Sequence, residues 1–177
     1  MSGGVGERFW PVSRKKYPKQ FSNIIGNESL FQKCALRVSN NNFFKFSNPV
    51  VMTNIDYRFI VGQQLKEISI EPETIIIEPI LKDTAASILA AALIIKRIDP
   101  ASVMLVCPSD HLIPDNEAIE EAFYEGLNEA IVGNIITFGA IPNRPETGYG
   151  YLKFNGMVDG SAIPLEKFVE KGLKDLS

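Results

Sequence analysis

The stretch TIIIEPILKDTAASILAAALIIKRI, residues 74–98, decides the fold of this chain. Its first part, residues 74–79, is a short, uninterrupted β-branched run, which is typical of a strand buried on both faces. Its second part, residues 84–98, is long enough for a helix and apolar almost all round, so we expect it to be deeply packed. A strand followed by such a helix is the repeating unit of a parallel α/β sheet.

The same two kinds of segment alternate on either side. Further strands are predicted at residues 49–53, 102–108 and 134–140, and further helices at residues 54–68 and 116–132. This order predicts an α/β protein with a mostly parallel sheet and helices on both faces. In such sheets ligands bind beyond the carboxyl ends of the strands, and polar segments that core packing does not explain follow the predicted strands there.

Composition and charge exclude several classes of protein. The chain has 177 residues, of which 45% are hydrophobic and 22% charged, as in an ordinary globular domain. A membrane span and a signal peptide are not indicated, so we expect a cytoplasmic protein. The net charge is −3, yet residues 1–20 hold five basic residues and one acidic one. A long nucleic acid needs a broad basic face, whereas one basic end suits a small anion.

The two cysteines, Cys34 and Cys107, are too few for a disulfide framework and do not have zinc-site spacing. We expect two buried thiols in a reducing compartment. His111 is the only histidine, which leaves neither a histidine zinc cluster nor a serine–histidine–aspartate triad as an interpretation.

The opening segment, MSGGVGERFW, favours a phosphate-binding loop. Gly3, Gly4 and Gly6 let backbone N–H groups turn towards an anion, and Arg8 and Lys19 add cations that suit a polyphosphate. The spacing fits neither the P-loop nor the dinucleotide fingerprint. A plain surface turn is the alternative interpretation.

Three later segments add candidate residues. Asp110, after the predicted strand at 102–108, is placed to hold Mg²⁺ together with substrate phosphates, or else to cap a turn. Asp83 and Thr84 lie in a turn that can read a base edge, although both can simply cap the helix. Gly148 and Gly150 offer bare backbone to a sugar, with a hairpin turn as the alternative.

Together these segments resemble the nucleotidyltransferase domain of the bacterial mannose-1-phosphate guanylyltransferases, which are often fused to a mannose-6-phosphate isomerase domain. The matching segments are residues 2–21, 75–93, 106–113, 137–152 and 168–171. The resemblance implies a Rossmann-like α/β sandwich that makes GDP-mannose and pyrophosphate from GTP and α-D-mannose 1-phosphate. It implies Mg²⁺ as cofactor, allows a homo-oligomer or a fused isomerase domain, and gives no role to nucleic acid or membrane.

The resemblance also assigns roles to individual residues. The nucleotide phosphates would be cradled by Gly3, Gly4 and Gly6 and neutralised by Arg8 and Lys19. The guanine would be handled by Glu78, Asp83 and Thr84, and the metal by Asp110. The sugar phosphate would be bound by Gly148, Glu170 and Lys171.

The chain departs from the family pattern in two places. Lys82-Asp83-Thr84-Ala85-Ala86 stands where the family has Arg-Asn-Thr-Ala-Pro, and Gly172 follows Lys171 where the family has proline. The changed base segment leaves open a nucleotidyltransferase for UTP or dTTP with glucose 1-phosphate. The family's second metal-binding aspartate has no counterpart before Ser177, which leaves open a non-catalytic nucleotide-sensing domain. We expect residues 1–177 to be a partial nucleotidyltransferase domain whose first strand and C-terminal part are missing.

Overall fold

The computed structural model describes residues 18–23, 26–39, 44–79, 84–145, 148–156 and 161–170. The chain divides into two compact units, Met1–Asn116 and Glu117–Ser177, which are described separately. Within the described ranges, no helix combines the length and the apolar character that crossing a membrane requires.

The first unit contains helices and two strands. In chain order these are a 3-10 turn at Lys19–Phe21, α1 at Leu30–Arg37, β1 at Val50–Asn54, a 3-10 turn at Ile55–Tyr57, α2 at Arg58–Glu67, β2 at Thr74–Glu78 and α3 at Thr84–Ile98. The strand β1 pairs with β2 in parallel, from Val50 opposite Thr74 to Asn54 opposite Glu78. Both strands therefore end at the same edge, and α2 forms the crossover between them.

The core of the first unit lies between the helices and β1. It consists of Phe21, Phe31, Ala35, Val51, Tyr57, Val61 and Leu65. The ring of Phe21 is fully buried, and its centroid lies 5.7 Å from that of Phe31 and 5.5 Å from that of Tyr57. These aromatic contacts fix the first 3-10 turn against α1 and the start of α2.

The helix α1 was not predicted, although the sequence carries a signal for its start. Ser29 Oγ accepts a hydrogen bond from Gln32 N at 3.1 Å, and Gln32 Oε1 accepts one from Ser29 N at 2.9 Å. This reciprocal pair is a capping box, whose Ser-x-x-Gln pattern before an apolar run marks a helix start.

The second unit consists mainly of α4 and a two-stranded sheet. Helix α4 is assigned to Asn116–Ile131, β3 to Tyr151–Phe154 and β4 to Leu165–Val169. The strands are antiparallel, with Tyr151 opposite Val169 and a register shift between Lys153 and Phe154. Phe123 of α4 packs edge-on against Phe138, with 5.1 Å between the ring centroids.

The structure corrects two predicted strands. Residues 102–108 and 134–140 lie outside every strand assigned among the described residues. Their apolar side chains are partly exposed, with Val103 at 45% and Ile135 at 98%. An apolar run shows what a segment can bury, whereas a strand also needs a neighbour about 4.8 Å away to share backbone hydrogen bonds.

The prediction that the helix at 84–98 is deeply packed is also wrong. In α3 only Ser87 and Ala91 are buried, while Leu89 is 60% and Leu93 55% exposed. The helix contacts β1, and among the described residues nothing buries its outer face. Apolar residues all round a helix become buried only where a layer of chain covers each side.

Candidate functional site

One ion pair joins two of the predicted site residues. The Nζ atom of Lys19 lies 3.1 Å from Oδ2 of Asp110, and the two side chains are 27% and 43% exposed. Solvent and small ions can therefore reach both groups. Because an exposed ion pair adds only about 0–1 kcal/mol to stability, its main effect is to fix a cation and an anion at one point of the surface.

Lys19 is positioned by a rigid turn. It begins the 3-10 turn that ends at Phe21, and the following Gln20 is 2% exposed. The carbonyl oxygen of Phe21 accepts a hydrogen bond of 2.8 Å from Nε2 of Gln64 on α2. The backbone around Lys19 is thus fixed by the burial of Gln20 and by the hydrogen bond from α2 to Phe21.

The position of Asp110 is supported by a contact from α1. It follows Ser109, which is 3% exposed, and Sγ of Cys34 donates a 3.6 Å hydrogen bond to the carbonyl oxygen of Pro108. Because Phe31 of α1 also packs on Phe21, the same helix supports both members of the Lys19–Asp110 ion pair.

A further predicted site residue, Glu78, lies at the carboxyl end of β2 and contacts α3. Glu78, the last residue of β2, is half-buried and accepts a hydrogen bond from the hydroxyl of Ser87 on α3. Thr84, the first residue of α3, is exposed. Glu78 and Thr84 thus lie at the edge where parallel strands end, which is the ligand-binding edge of such sheets.

The two described sugar-site candidates lie at one end of the β3–β4 sheet. Gly148 is three residues before Tyr151, and Glu170 directly follows Val169, which pairs with Tyr151. Both are exposed. At Gly150 a Cβ atom would lie 2.5 Å from Cζ of Phe168, so the absence of a side chain lets the ring approach the backbone there.

The other candidates lie outside the described residues. They are Gly3, Gly4, Gly6, Arg8, Asp83 and Lys171. Their assignments stay predictions.

Sequence reasoning missed two polar residues that support the site, Gln64 and Ser87. Gln64 shares the buried face of α2 with Val61 and Leu65, and a polar residue within such an apolar stripe indicates a buried hydrogen bond. Ser87 is buried within the otherwise apolar face of α3 that packs inward, where a hydroxyl likewise needs a partner. The interrupted apolar spacing is the signal that could have found both.

The donor set fits a weakly held divalent cation. Among the described ranges, no group of three or more histidine, cysteine, aspartate or glutamate side chains is arranged to hold a metal. Asp110 offers one accessible carboxylate. One protein carboxylate is compatible with Mg²⁺, because this ion is commonly bound by one or two carboxylates together with water and substrate phosphates.

Comparison with known proteins defines the class. The family model described as Nucleotidyl transferase matches residues 1–176. The chain therefore belongs to the nucleotidyl transferase family.

The chain is also similar to individual relatives within this family. The chain is 40% identical to a mannose-1-phosphate guanylyltransferase of Salmonella montevideo and 41% identical to one of Escherichia coli K12. It is 40% identical to the xanthan biosynthesis protein XanB of Xanthomonas campestris pv. campestris. Each match covers 97% of this chain and 36% of the relative, so the chain spans about 36% of the length of these relatives.

A solved structure is also similar. The crystal structure of mannose-6-phosphate isomerase from Helicobacter pylori matches 98% of this chain and 60% of that chain, with a TM-score of 0.74 and 25% identity. The family match and this structure confirm the predicted α/β nucleotidyltransferase fold with a parallel sheet and helices.

Proposed function

We propose that the protein makes GDP-mannose and pyrophosphate from GTP and α-D-mannose 1-phosphate. Relatives named mannose-1-phosphate guanylyltransferase, about 40% identical over 97% of the chain, support this proposal. The observation that carries it is the 3.1 Å contact between Lys19 and Asp110. It places a cation suited to phosphate beside an anion suited to a metal, as nucleotidyl transfer requires.

The proposed reaction brings two anions together. A phosphate oxygen of mannose 1-phosphate attacks the α-phosphorus of GTP, the bond from that phosphorus to the bridging oxygen breaks, and pyrophosphate leaves in line. The attacking oxygen is already ionised at neutral pH, so a general base is unnecessary. Positioning and charge neutralisation then supply the catalysis.

Three cations would carry this neutralisation: Arg8, Lys19 and Lys171. Lys19 is the one among the described residues. Its backbone is fixed by the buried Phe21, while its own side chain is 27% exposed, so the ammonium can turn from Asp110 to a phosphate oxygen without moving the main chain. The N–H groups at Gly3, Gly4 and Gly6 would cradle the same phosphates.

Asp110 would hold Mg²⁺. The family in general uses a divalent metal, and a carboxylate with 43% of its side chain exposed can reach an ion bound to substrate phosphates. When bound, the ion supplies positive charge that offsets the charge of the triphosphate. Lys19 and Asp110 would then act on the same phosphate group from adjacent positions.

We propose different residues for the base and for the sugar phosphate. For guanine we propose Glu78, Asp83 and Thr84, with Ser87 restraining the carboxylate of Glu78 by its hydrogen bond. For mannose 1-phosphate we propose Gly148, Glu170 and Lys171; the pairing of Tyr151 with Val169 places the first two at one end of their sheet.

We also propose that residues 1–177 are part of a nucleotidyltransferase domain in a longer protein with a mannose-6-phosphate isomerase domain. The family match over residues 1–176 and the 36% coverage of the relatives support this. Because the substrates are a nucleotide and a sugar phosphate of central metabolism, we infer that the protein works in the cytoplasm.

A substrate comparison tests the function. Full-length protein is incubated with mannose 1-phosphate and GTP, UTP or dTTP, and with glucose 1-phosphate and UTP or dTTP, while pyrophosphate release is followed and the nucleotide sugar is identified by mass. We expect GTP with mannose 1-phosphate to give a kcat/KM at least about tenfold above the other pairs, because a site built to hydrogen-bond one base rejects others. A preference for UTP or dTTP would contradict the proposed specificity. Nucleotide binding without pyrophosphate release from any pair would instead show a sensing domain.

A further inference from the structure

The two cysteines, distant in sequence, meet beside the ion pair. Cys34 lies on α1 and is 7% exposed, whereas Cys107 is half-buried and directly precedes Pro108. The Cys34 thiol donates a 3.6 Å hydrogen bond to the carbonyl oxygen of Pro108, which brings it beside Cys107, the residue before Pro108. The pKa of each thiol is shifted by a hydrogen bond with the other. The two are the only cysteines of the chain and both are free thiols.

The contact makes the two thiols chemically different. The hydrogen bond with Cys107 lowers the pKa of the Cys34 thiol to about 7, against the opposing effect of burial. The same hydrogen bond, together with burial, raises the pKa of the Cys107 thiol. Since the thiolate is the reactive form of cysteine, Cys34 is the member that reacts first.

We propose that Cys34 and Cys107 are a redox modification site, at which hydrogen peroxide forms a reversible disulfide that ties α1 to the segment carrying Asp110. Reversible disulfides of this kind occur in reducing compartments as transient or sensing bonds. The inference goes beyond the proposed reaction, and only its effect on activity rests on that reaction.

The oxidation balances with peroxide as the sole oxidant. The Cys34 thiolate attacks one peroxide oxygen, an S–O bond forms, the O–O bond breaks, and hydroxide leaves to become water. The sulfur of Cys107 then attacks the sulfenic sulfur of Cys34, the S–S bond forms, the S–O bond breaks, and the departing hydroxide takes the Cys107 proton as water. Two thiols are oxidised, and one peroxide is reduced to two waters.

The disulfide would disturb the neighbouring ion pair. An S–S bond is about 2.05 Å long, so the two sulfur atoms must approach from hydrogen-bonding distance. Cys107 is three residues before Asp110. Lys19 is held against α1 separately, through the ring contact of Phe21 with Phe31. Drawing residues 107–110 towards α1 should therefore change the 3.1 Å contact of Lys19 with Asp110.

The test uses the full-length protein, treated with a small excess of hydrogen peroxide and then digested without reduction. We expect the peptides that contain Cys34 and Cys107 to be linked, with a mass about 2 Da below their sum as two hydrogens are lost, and dithiothreitol to separate them. The disulfide should also raise the thermal midpoint by several degrees, because it constrains the unfolded chain. Neither measurement needs a substrate, so both test the thiol pair whether or not the proposed reaction is correct.

Activity and variants complete the test. Oxidation should lower the rate of nucleotide-sugar formation about tenfold or more, since a displacement of about 1 Å in a site can cost far more than that, and dithiothreitol should restore it. The Cys107→Ser variant, which leaves the contact of Cys34 with Pro108 in place, should keep the activity of its own untreated sample under the same peroxide treatment. Oxygen adducts without a linked peptide would overturn the proposal, as would a disulfide that leaves activity unchanged in a protein shown to be active.

Discussion

Gln64 Nε2 donates a 2.8 Å hydrogen bond to the carbonyl oxygen of Phe21, two residues after Lys19. The same amide accepts a 2.7 Å hydrogen bond from Oγ of Ser29, the N-cap of α1. One buried side chain thus connects α2, the start of α1 and the turn that carries the proposed phosphate-binding lysine.

Replacing this amide should cost stability as well as activity. In Gln64→Ala the buried partners on Phe21 and Ser29 lose their hydrogen bonds, so we expect the free energy of unfolding to fall by about 2–4 kcal/mol. Urea unfolding followed by circular dichroism measures it. The matched control is Gln63→Ala. The exposed Gln63 amide donates a hydrogen bond to Glu67 on the same helix, and its removal should change the free energy of unfolding by less than about 0.5 kcal/mol. Equal losses in the two variants would refute the anchoring role of Gln64.

Asp110→Asn removes the negative charge of the side chain and keeps its shape. The amide keeps nearly the volume of the carboxylate and adds no strain, so the exposed side chain can change with little effect on the thermal midpoint. We expect kcat to fall about 10²-fold or more, the size of a lost electrostatic contact to a transition state, with a higher Mg²⁺ concentration needed for half-maximal rate. Magnesium titrations of the wild-type and variant full-length proteins provide the measurement. An unchanged titration would show that the metal is held elsewhere.

Thr53→Val should stabilise the protein. Thr53 is fully buried in β1, and its Oγ1 has no hydrogen-bond partner among the described residues. A buried unsatisfied hydroxyl costs about 1–3 kcal/mol, and valine has the same shape without it. We expect the free energy of unfolding to rise by about 1 kcal/mol. In Thr74→Val, on the partly exposed β2, the change should be close to zero. A destabilised Thr53→Val variant would reveal a partner for the hydroxyl.

Two glycines should respond in opposite directions to alanine. At Gly150 the new Cβ would lie 2.5 Å from the Phe168 ring. Because this residue is 52% exposed, its ring can move aside. We therefore expect the free energy of unfolding to fall by about 1 kcal/mol and the KM for mannose 1-phosphate to rise. At Gly62, inside α2, the Cβ would meet nothing within 4 Å. The higher helix propensity of alanine should therefore raise the free energy of unfolding by about 0.8–1 kcal/mol. Chemical unfolding of both variants, with a KM measurement for Gly150→Ala, checks the pair. Stabilisation at Gly150 would contradict the close approach of Phe168.

The elements that local sequence controls were predictable. Helix α3 spans Thr84–Ile98, as predicted, because its 15-residue run is longer than an ordinary strand. Strand β2 differs from its prediction by one residue. Strand predictions were wrong where strand formation depends on residues far away in the sequence. Residues 102–108 and 134–140 are apolar enough for strands, but a strand needs a pairing neighbour that the local sequence does not reveal. Helix α1 has only eight residues, and its main sequence signal is the Ser29–Gln32 capping box rather than a long apolar period.

The sequence supplies candidate site residues but not the distances between them. Sequence and family resemblance singled out Lys19 and Asp110, and the structure brings them to 3.1 Å. The supporting hydrogen bond from Gln64 and the meeting of Cys34 with Cys107 were not predicted. Such contacts join residues far apart in the chain, and they arise from how α1 packs against its neighbours rather than from any local pattern.

The burial of Phe21 between Phe31 and Tyr57 has a consequence for the entropy that is lost when a ligand binds at Lys19. Fixing the backbone of one residue costs about 1–2 kcal/mol in conformational entropy, and for the turn at Lys19–Phe21 this cost is met during folding, because Phe21 is fully enclosed. If Lys19 binds phosphate as proposed, this turn adds no further backbone ordering to the entropy cost of binding, and only the end of the lysine side chain has to be ordered there. Slow amide hydrogen exchange at Phe21, unchanged by added nucleotide, would be the signature of this preorganised turn.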